Sequence, residues 1–352
     1  MYASYARILV VLPPLSSLTV MHYMVAVVDH LFASAIQPGQ PVSASLAAGC
    51  TEASRHPLWP CASWSNCEHS SLHCPFCPHP APITDTSILQ FALTLEHLEN
   101  NFYSGGLAKF DDKAFADAGF PAWVRGRFVQ IAEHEAEHVE FLMAALGDAA
   151  PKPCEYSFPY TDPKSFAALS MALETVGASA YLGAARYIQD KDTLTAAGSI
   201  LAVESRQAGW VSSSVLKLQP WDGAYETPLT PSGAYSLAAA FIKECPSSNP
   251  PLPVQMFPSL TVSDSSPKPG STITVSFDNP EHVYPAYLAW LDGLAVTYTP
   301  IDENGKTTVP EKLEGTVFAG AVSSNNMAPS DSTMLSGLAM FQFPFGSYAM
   351  TE

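Results

Sequence analysis

The sequence predicts a mainly α protein: a four-helix bundle with an added fifth helix, followed by a small C-terminal β-sandwich-like domain and preceded by a disordered N-terminal region. Three observations carry that reading. After Thr84-Asp85 the apolar side chains Ile88, Phe91, Leu95, Leu98 and Phe102 recur every third or fourth residue, the repeat of a helix with one buried face, and further helix starts and stops follow up to Glu244. Inside that stretch Leu-Glu with a tyrosine seven residues on occurs twice, at Glu96 to Tyr103 and at Glu174 to Tyr181. Each copy is followed on a later helix by another glutamate, in Glu135-x-x-His138 and in Glu204-x-x-Gln207. From Phe257 the pattern changes to short runs rich in β-branched and aromatic residues, punctuated by Gly and Pro.

The elements follow in order. Residues 1–35 hold Arg7, the apolar runs Ile8 to Leu12 and Leu18 to Val28, and Ala33-Ser34-Ala35, an imperfect secretory signal that predicts a secreted or cell-surface protein. Pro13-Pro14 and Asp29 argue against a stable membrane span. Residues 36–82 are rich in Pro, Ser, Cys and His without periodicity and are expected to be disordered. The bundle is assigned to residues 83–245. Its first helix opens at Thr84-Asp85, presents Ile88, Phe91, Leu95, Leu98 and Phe102 on one side, and is expected to end after Tyr103 at Gly105-Gly106. A short helical stretch from Asp112 to Ala118 leads to Pro121, a first-turn proline, and a second long helix runs to Leu146 with Gly147 as its cap. Pro151 to Tyr160 is a proline-rich crossover. Asp162-Pro163 opens a third long helix to about Ile188, Asp192 a fourth to about Leu218, and Pro231 a fifth that ends near Glu244. Residues 246–256 form a proline-rich linker, and residues 257–352 the β-rich domain. Its expected strands are Leu260 to Val262, Thr272 to Phe277, Ala295 to Tyr298 and Gly315 to Ala319.

Composition narrows the function classes. Of 352 residues, 47% are apolar, ample for a core, and 16 basic against 33 acidic residues give a net charge of -17. With no cluster of Lys and Arg to neutralise phosphates, nucleic acid is excluded as a partner, and an anionic membrane surface is disfavoured. Of seven cysteines, five crowd the N-terminal region, while Cys154 and Cys245 flank the last helices of the bundle and could clamp them as a disulfide.

The chemistry lies in the repeated glutamates. A carboxylate at an inward helical position is costly to bury unpaired. Four of them on four helices repel one another unless a cation sits between, which is the ligand set of a di-metal carboxylate centre. The three-residue spacing puts Glu135 and His138 on one helix face. Glu135 would bridge two ions and His138 ligate one; Glu96 and Glu174 would be terminal ligands, Glu204 the second bridge, and Gln207 would stand where a second imidazole is expected. An amide oxygen is the weaker ligand. Tyr103 and Tyr181, two turns from their glutamates, are the catalytic candidates, placed to hydrogen-bond ligands or take part in electron transfer. The expected ions are iron or manganese. A single glutamate on a helix is ordinarily solvated; the repetition, on faces rich in Leu93, Leu95, Met171 and Leu173, is what argues for a site.

Two competing motifs carry less. His134-Glu135-Ala136-Glu137-His138 matches the H-E-x-x-H helix of zinc proteases, but Phe141 and Ala144 stand where the metzincin extension needs Gly and His, and the other three glutamates go unexplained. In the bundle His134 is expected at the surface. Cys74-Pro-Phe-Cys77 lacks a second cysteine pair at a zinc-binding spacing and lies in a segment without a core.

Three segments carry a family resemblance: TDTSILQFALTLEHLENNFY ending at Tyr103, AEHEAEHVEFL from Ala132, and ILAVESRQAGW from Ile200. They resemble the ferritin-like domain of fungal stress-response and desiccation-related proteins over about residues 83–245, and the segment from Phe257 is similar to the β-rich extension of fungal members. The resemblance implies a ferritin-like bundle in a secreted or cell-surface protein, with Glu96, Glu135, His138, Glu174 and Glu204 at ligand positions. Where such proteins carry E-A-R-H on the fourth helix, this chain has Glu204-Ser-Arg-Gln207. Two functions stay open. One is a metal-binding protein with redox activity, a di-metal oxidoreductase. The other is a non-enzymatic stress protein with a vestigial site, its carboxylates paired with Arg186 and Arg206 and its β-rich domain bound to cell wall or a surface partner.

Overall fold

The structure is a computed structural model and describes residues 83–279, 283 and 286–346. The expected signal sequence, the Cys/Pro/His-rich segment and the Cys74–Cys77 motif lie outside the described residues. Among those described, no helix is long and apolar enough to cross a membrane.

Helix α1 (Asp85–Lys109) starts where the sequence places it, because Thr84 and Ser87 exchange the two hydrogen bonds of a capping box. It does not stop at Gly105-Gly106. Gly106 is a packing residue: a Cβ there would lie 2.2 Å from the ring of Phe166, so the glycine lets that ring close against the helix backbone while the helix runs on to Lys109. The short α2 (Asp112–Asp117) is capped by the Asp111 carboxylate. Helix α3 (Ala122–Leu146) follows Pro121 and ends at Gly147, whose φ of 54° is a conformation glycine adopts at no steric cost.

The crossover is held down by side chains of α1. Gln90 Nε2 donates to the Ala149 carbonyl at 2.8 Å, and His97 Nε2 lies 3.0 Å from the Pro151 carbonyl. It contains a two-residue strand, β1 (Glu155–Tyr156). Helix α4 (Pro163–Ala184) opens with an Asp162 capping box and Pro163 in the first turn, and passes into a 3₁₀ turn at 185–187 instead of continuing to Ile188. Helix α5 (Lys191–Trp210) is capped by Asp190, two residues before the Asp192 expected to open it. It gives way to a π-helical turn, Val211–Val215, short of Leu218. The chain doubles back there, with Ser212 Oγ donating to the Gln219 carbonyl at 2.6 Å, and Gly209 gives room for the Pro220 carbonyl, 2.7 Å from where a Cβ would be.

The fifth helix, α6 (Pro231–Ala238), is shorter than expected. Residues up to Glu244 form instead a 3₁₀ turn and strand β2 (Ile242–Glu244), which pairs antiparallel with β1 through Glu155 opposite Glu244. A helix through this stretch would forgo that ladder and the adjoining Cys154–Cys245 disulfide. Helix α1 packs on α3, and α4 on α5.

Small residues on α4 serve close approach. A Cβ at Gly183 would fall 1.7 Å from the Leu229 carbonyl oxygen, and backbone cannot swing aside as a side-chain tip can. Gly183→Ala is expected to cost about 3 kcal/mol by overpacking, read as a lower urea midpoint; an unchanged midpoint would contradict the packing described.

The C-terminal part forms two antiparallel sheets. One joins β3 (Thr261–Val262), β4 (Thr272–Ser276) and β7 (Lys306–Thr308). The other has the order β6-β5-β8-β9, from β5 (Ala286–Asp292), β6 (Ala295–Ile301), β8 (Gly315–Val322) and β9 (Met334–Phe343). Ile273, Val275, Leu288, Trp290, Val317 and Phe341 pack between them. Strands β5, β7 and β9 were absent from the expectation. β5 is rich in Ala and Leu and β9 in Leu and Met, both without a period of two, and β7 is only three residues long. The cause is burial on both faces: three successive residues are buried in each of β5 and β9. Ala289, Phe318, Val322, Met334 and Leu338 from the four-stranded sheet join the same hydrophobic core as Phe128, Phe166 and Val211 of the helical part. The β-rich region is therefore a third layer and shares its packing with the bundle.

Candidate metal centre

The bundle brings the carboxylates of Glu96 on α1, Glu135 on α3, Glu174 on α4 and Glu204 on α5 into its interior, where each residue is 0% exposed. Helical periodicity accounts for the first step, since each lies on the apolar face of its helix. Ligand atoms of Glu96, Glu135, His138 and Glu204 all lie within 4.8 Å of one another. Within this group His138 Nδ1 is 3.0 Å from Glu135 Oε2 and 3.3 Å from Glu96 Oε2. Among the described residues these are the only ion-pair contacts of the site carboxylates; Arg186 and Arg206 make none.

Glu174 stands outside that tight group. Its Oε1 accepts a hydrogen bond from the hydroxyl of Tyr103, which is also 2.7 Å from Ser170 Oγ. The Tyr181 hydroxyl donates to Glu96 Oε1 at 2.5 Å. The two tyrosines thus cross over, each from its own helix to the glutamate of the other. A tyrosine two turns along a helix is about 10 Å from its own glutamate, so only the opposite helix can offer a partner.

Gln207 faces the site. Its Nε2 is 3.3 Å from Glu135 Oε1 and 3.1 Å from His134 Nδ1, while its Oε1 is buried without a hydrogen-bond partner. His134 is on the exposed side of α3, as expected, yet it touches Gln207, a contact the sequence did not suggest. Sequence reasoning also missed Glu99, which is 3% exposed. The available signal was its position three residues after Glu96 and four before Tyr103, on the same inward helix face.

The donor set fits a cation. Glu174 Oε2, both Glu204 oxygens and Gln207 Oε1 are buried with no hydrogen-bond partner. Buried carboxylate oxygens without donors are strongly disfavoured, and divalent ions relieve that cost.

The electrostatics point the same way. Burial first, then the other carboxylates, pushes Glu99, Glu174 and Glu204 well above the usual range. Burial also raises Glu135, to about 7, although His138 partly offsets it. Burial works to lower His138, but Glu135 and Glu96 outweigh it and raise the imidazole to about 10. Burial, then the charge of Glu174 on one and of Glu96 on the other, raises Tyr103 and Tyr181 well above their ordinary value, so both hydroxyls stay protonated as donors.

A pH dependence follows. A carboxyl raised in the folded state favours folding while protonated, and that contribution is lost as pH climbs from the unfolded value through the folded one. The raised His138 acts in the same direction, its contribution being complete below about 6.5 and lost towards about 10. The metal-free protein should therefore unfold at progressively lower temperature from pH 5 to pH 9. Thermal unfolding in EDTA checks this, and a flat or rising profile would contradict it.

Comparison with known proteins gives one family match and one relative. Residues 84–217 match the family model of the ferritin-like domain. Protein rds1 of Schizosaccharomyces pombe (strain 972 / ATCC 24843) is 28% identical over 282 residues, covering 65% of this chain and 68% of its own length. The helical region is ferritin-like and is followed by a β-rich region.

Proposed function

We propose that the bundle binds two divalent transition-metal ions, iron or manganese, as a secreted stress-response protein with redox capacity. The observation that carries this reading is the buried cluster of Glu96, Glu135, His138 and Glu204. Glu96, Glu135, His138 and Glu204 would hold the ions, with Glu174 and Gln207 beside them. Bound there, such ions would supply one-electron chemistry. The protein's part is to hold them in a water-poor interior. Tyr181 orients Glu96 and Tyr103 orients Glu174, each keeping its proton on the hydroxyl oxygen; the second oxygen of Glu96 faces His138, and that of Glu174 has no hydrogen-bond partner. The disulfide suits an oxidising compartment and supports export.

The test is reconstitution of purified protein with Fe²⁺ or Mn²⁺ followed by metal analysis. About two equivalents are expected; less than a tenth of an equivalent would sink the proposal. Gln207 favours a second reading, a non-enzymatic scaffold with a degraded site whose β-rich layer binds cell wall or a surface partner. Under that reading the wild type takes up little metal and Gln207→His raises its affinity strongly; under the first the wild type already holds about two equivalents.

A further inference from the structure

The two halves of the bundle repeat each other, and the places where the repeat breaks are informative. Glu96, Glu99 and Tyr103 on α1 occupy the spacing that Glu174, Gly177 and Tyr181 occupy on α4. Glu135 and His138 on α3 correspond to Glu204 and Gln207 on α5. One break replaces an imidazole by an amide. The other sets a glutamate opposite a glycine.

These breaks meet in space. A Cβ at Gly177 would lie 2.8 Å from Glu99 Oε1 and 2.8 Å from Glu204 Oε2. The missing side chain at 177 thus leaves the volume into which both carboxylates point. Glu99 is 3% exposed and Glu204 0%, and neither Glu204 oxygen has a hydrogen-bond partner. A second buried carboxylate aimed at an unpartnered one is repulsive, and no Lys or Arg among the described residues pairs with either. Had helix packing alone selected residue 177, a small apolar side chain in place of a second acid at 99 would have sufficed.

We infer that Glu99 is a ligand of the second cation, beside Glu204, and that Gly177 is a glycine because it makes room for that carboxylate. The inference rests on the di-metal reading and deepens it. The two cation positions are then chemically unlike. The first has an imidazole, from His138. The second is bounded by oxygen donors alone, with Glu99 supplying the charge that Gln207 does not. Oxygen-only sites favour hard ions such as Mn²⁺ over softer ones.

The experiment is Mn²⁺ titration of the full chain by calorimetry, with bound metal counted after desalting, for the wild type, Glu99→Gln and Glu99→Ala. Glu99→Gln preserves shape and removes the charge. The expected result is two equivalents for the wild type and one for Glu99→Gln, with the metal-free unfolding temperature of the variant not lowered. A merely structural Glu99 would lower that temperature and leave the stoichiometry at two. Two equivalents retained by Glu99→Gln overturn the inference while leaving the di-metal reading intact. No binding by the wild type overturns both. Should Glu99→Gln fail to fold, Glu99→Ala decides, since it removes the carboxylate and leaves Glu204 its room: one equivalent supports the inference and two overturn it.

Discussion

Replacing Glu135 by Ala is expected to remove metal binding. Glu135 is fully buried, belongs to the group of ligand atoms lying within 4.8 Å of one another, and also engages His138 and Gln207. Losing a group that merely supports a ligand typically costs 10–100-fold in metal affinity. A carboxylate that, on the proposed function, would touch both ions should cost more, a weakening above about 100-fold for each. Calorimetric titration with Mn²⁺ or Fe²⁺ measures it, and unchanged metal content would sink the assignment. Glu135→Gln separates charge from shape: the amide fills the same volume, so equal loss in both variants locates the effect in the negative charge. The histidine should respond as well. Without the Glu135 carboxylate the first of the groups that raise His138 is gone, so its proton should leave at lower pH, which histidine NMR titration of the metal-free variant can follow.

The second large effect concerns the disulfide. Cys154 and Cys245 are 91 residues apart and enclose α4, α5 and α6, which carry Glu174, Glu204 and Gln207. A bond closing a loop of this length contributes about 3–5 kcal/mol in the chain-entropy account, because it restricts the unfolded chain more than the folded one. The folded state loses little without it: the β1–β2 ladder beside the bond stays hydrogen-bonded. The double variant Cys154→Ser with Cys245→Ser is therefore expected to keep its helical spectrum and to unfold at a lower urea concentration by about that free energy. Wild type in reductant should behave alike. A difference under about 1 kcal/mol would mean that the bond does little for stability.

Much of the helical part could be read in advance because its signals are local. Thr84 with Ser87, Asp162 with Pro163, and Gly147 act within one turn of chain, and each helix begins or ends where they stand. The errors came where a distant contact outweighed a local cue. Gly105-Gly106 looked like a stop until Phe166 came to lie against it. Residues 239–244 continued a helical pattern until β1 offered a ladder. Strands β5 and β9 lacked alternation because one sheet face meets the other sheet and the opposite face meets the bundle.

By itself the sequence determined which donors exist and how they are spaced along each helix: Glu96, Glu99 and Tyr103 on one, Glu135 and His138 on another, Glu174 and Tyr181 on a third, Glu204 and Gln207 on a fourth. Backbone hydrogen bonding makes residues three, four and seven apart share a helix face, whatever surrounds them. Only the tertiary structure decided which tyrosine serves which glutamate, that His134 reaches Gln207, and that Glu99 meets Glu204 across Gly177. Those pairings depend on the axial offset of one helix against its neighbour, and that offset is the sum of packing over the whole shared core, to which no single stretch of chain holds the answer.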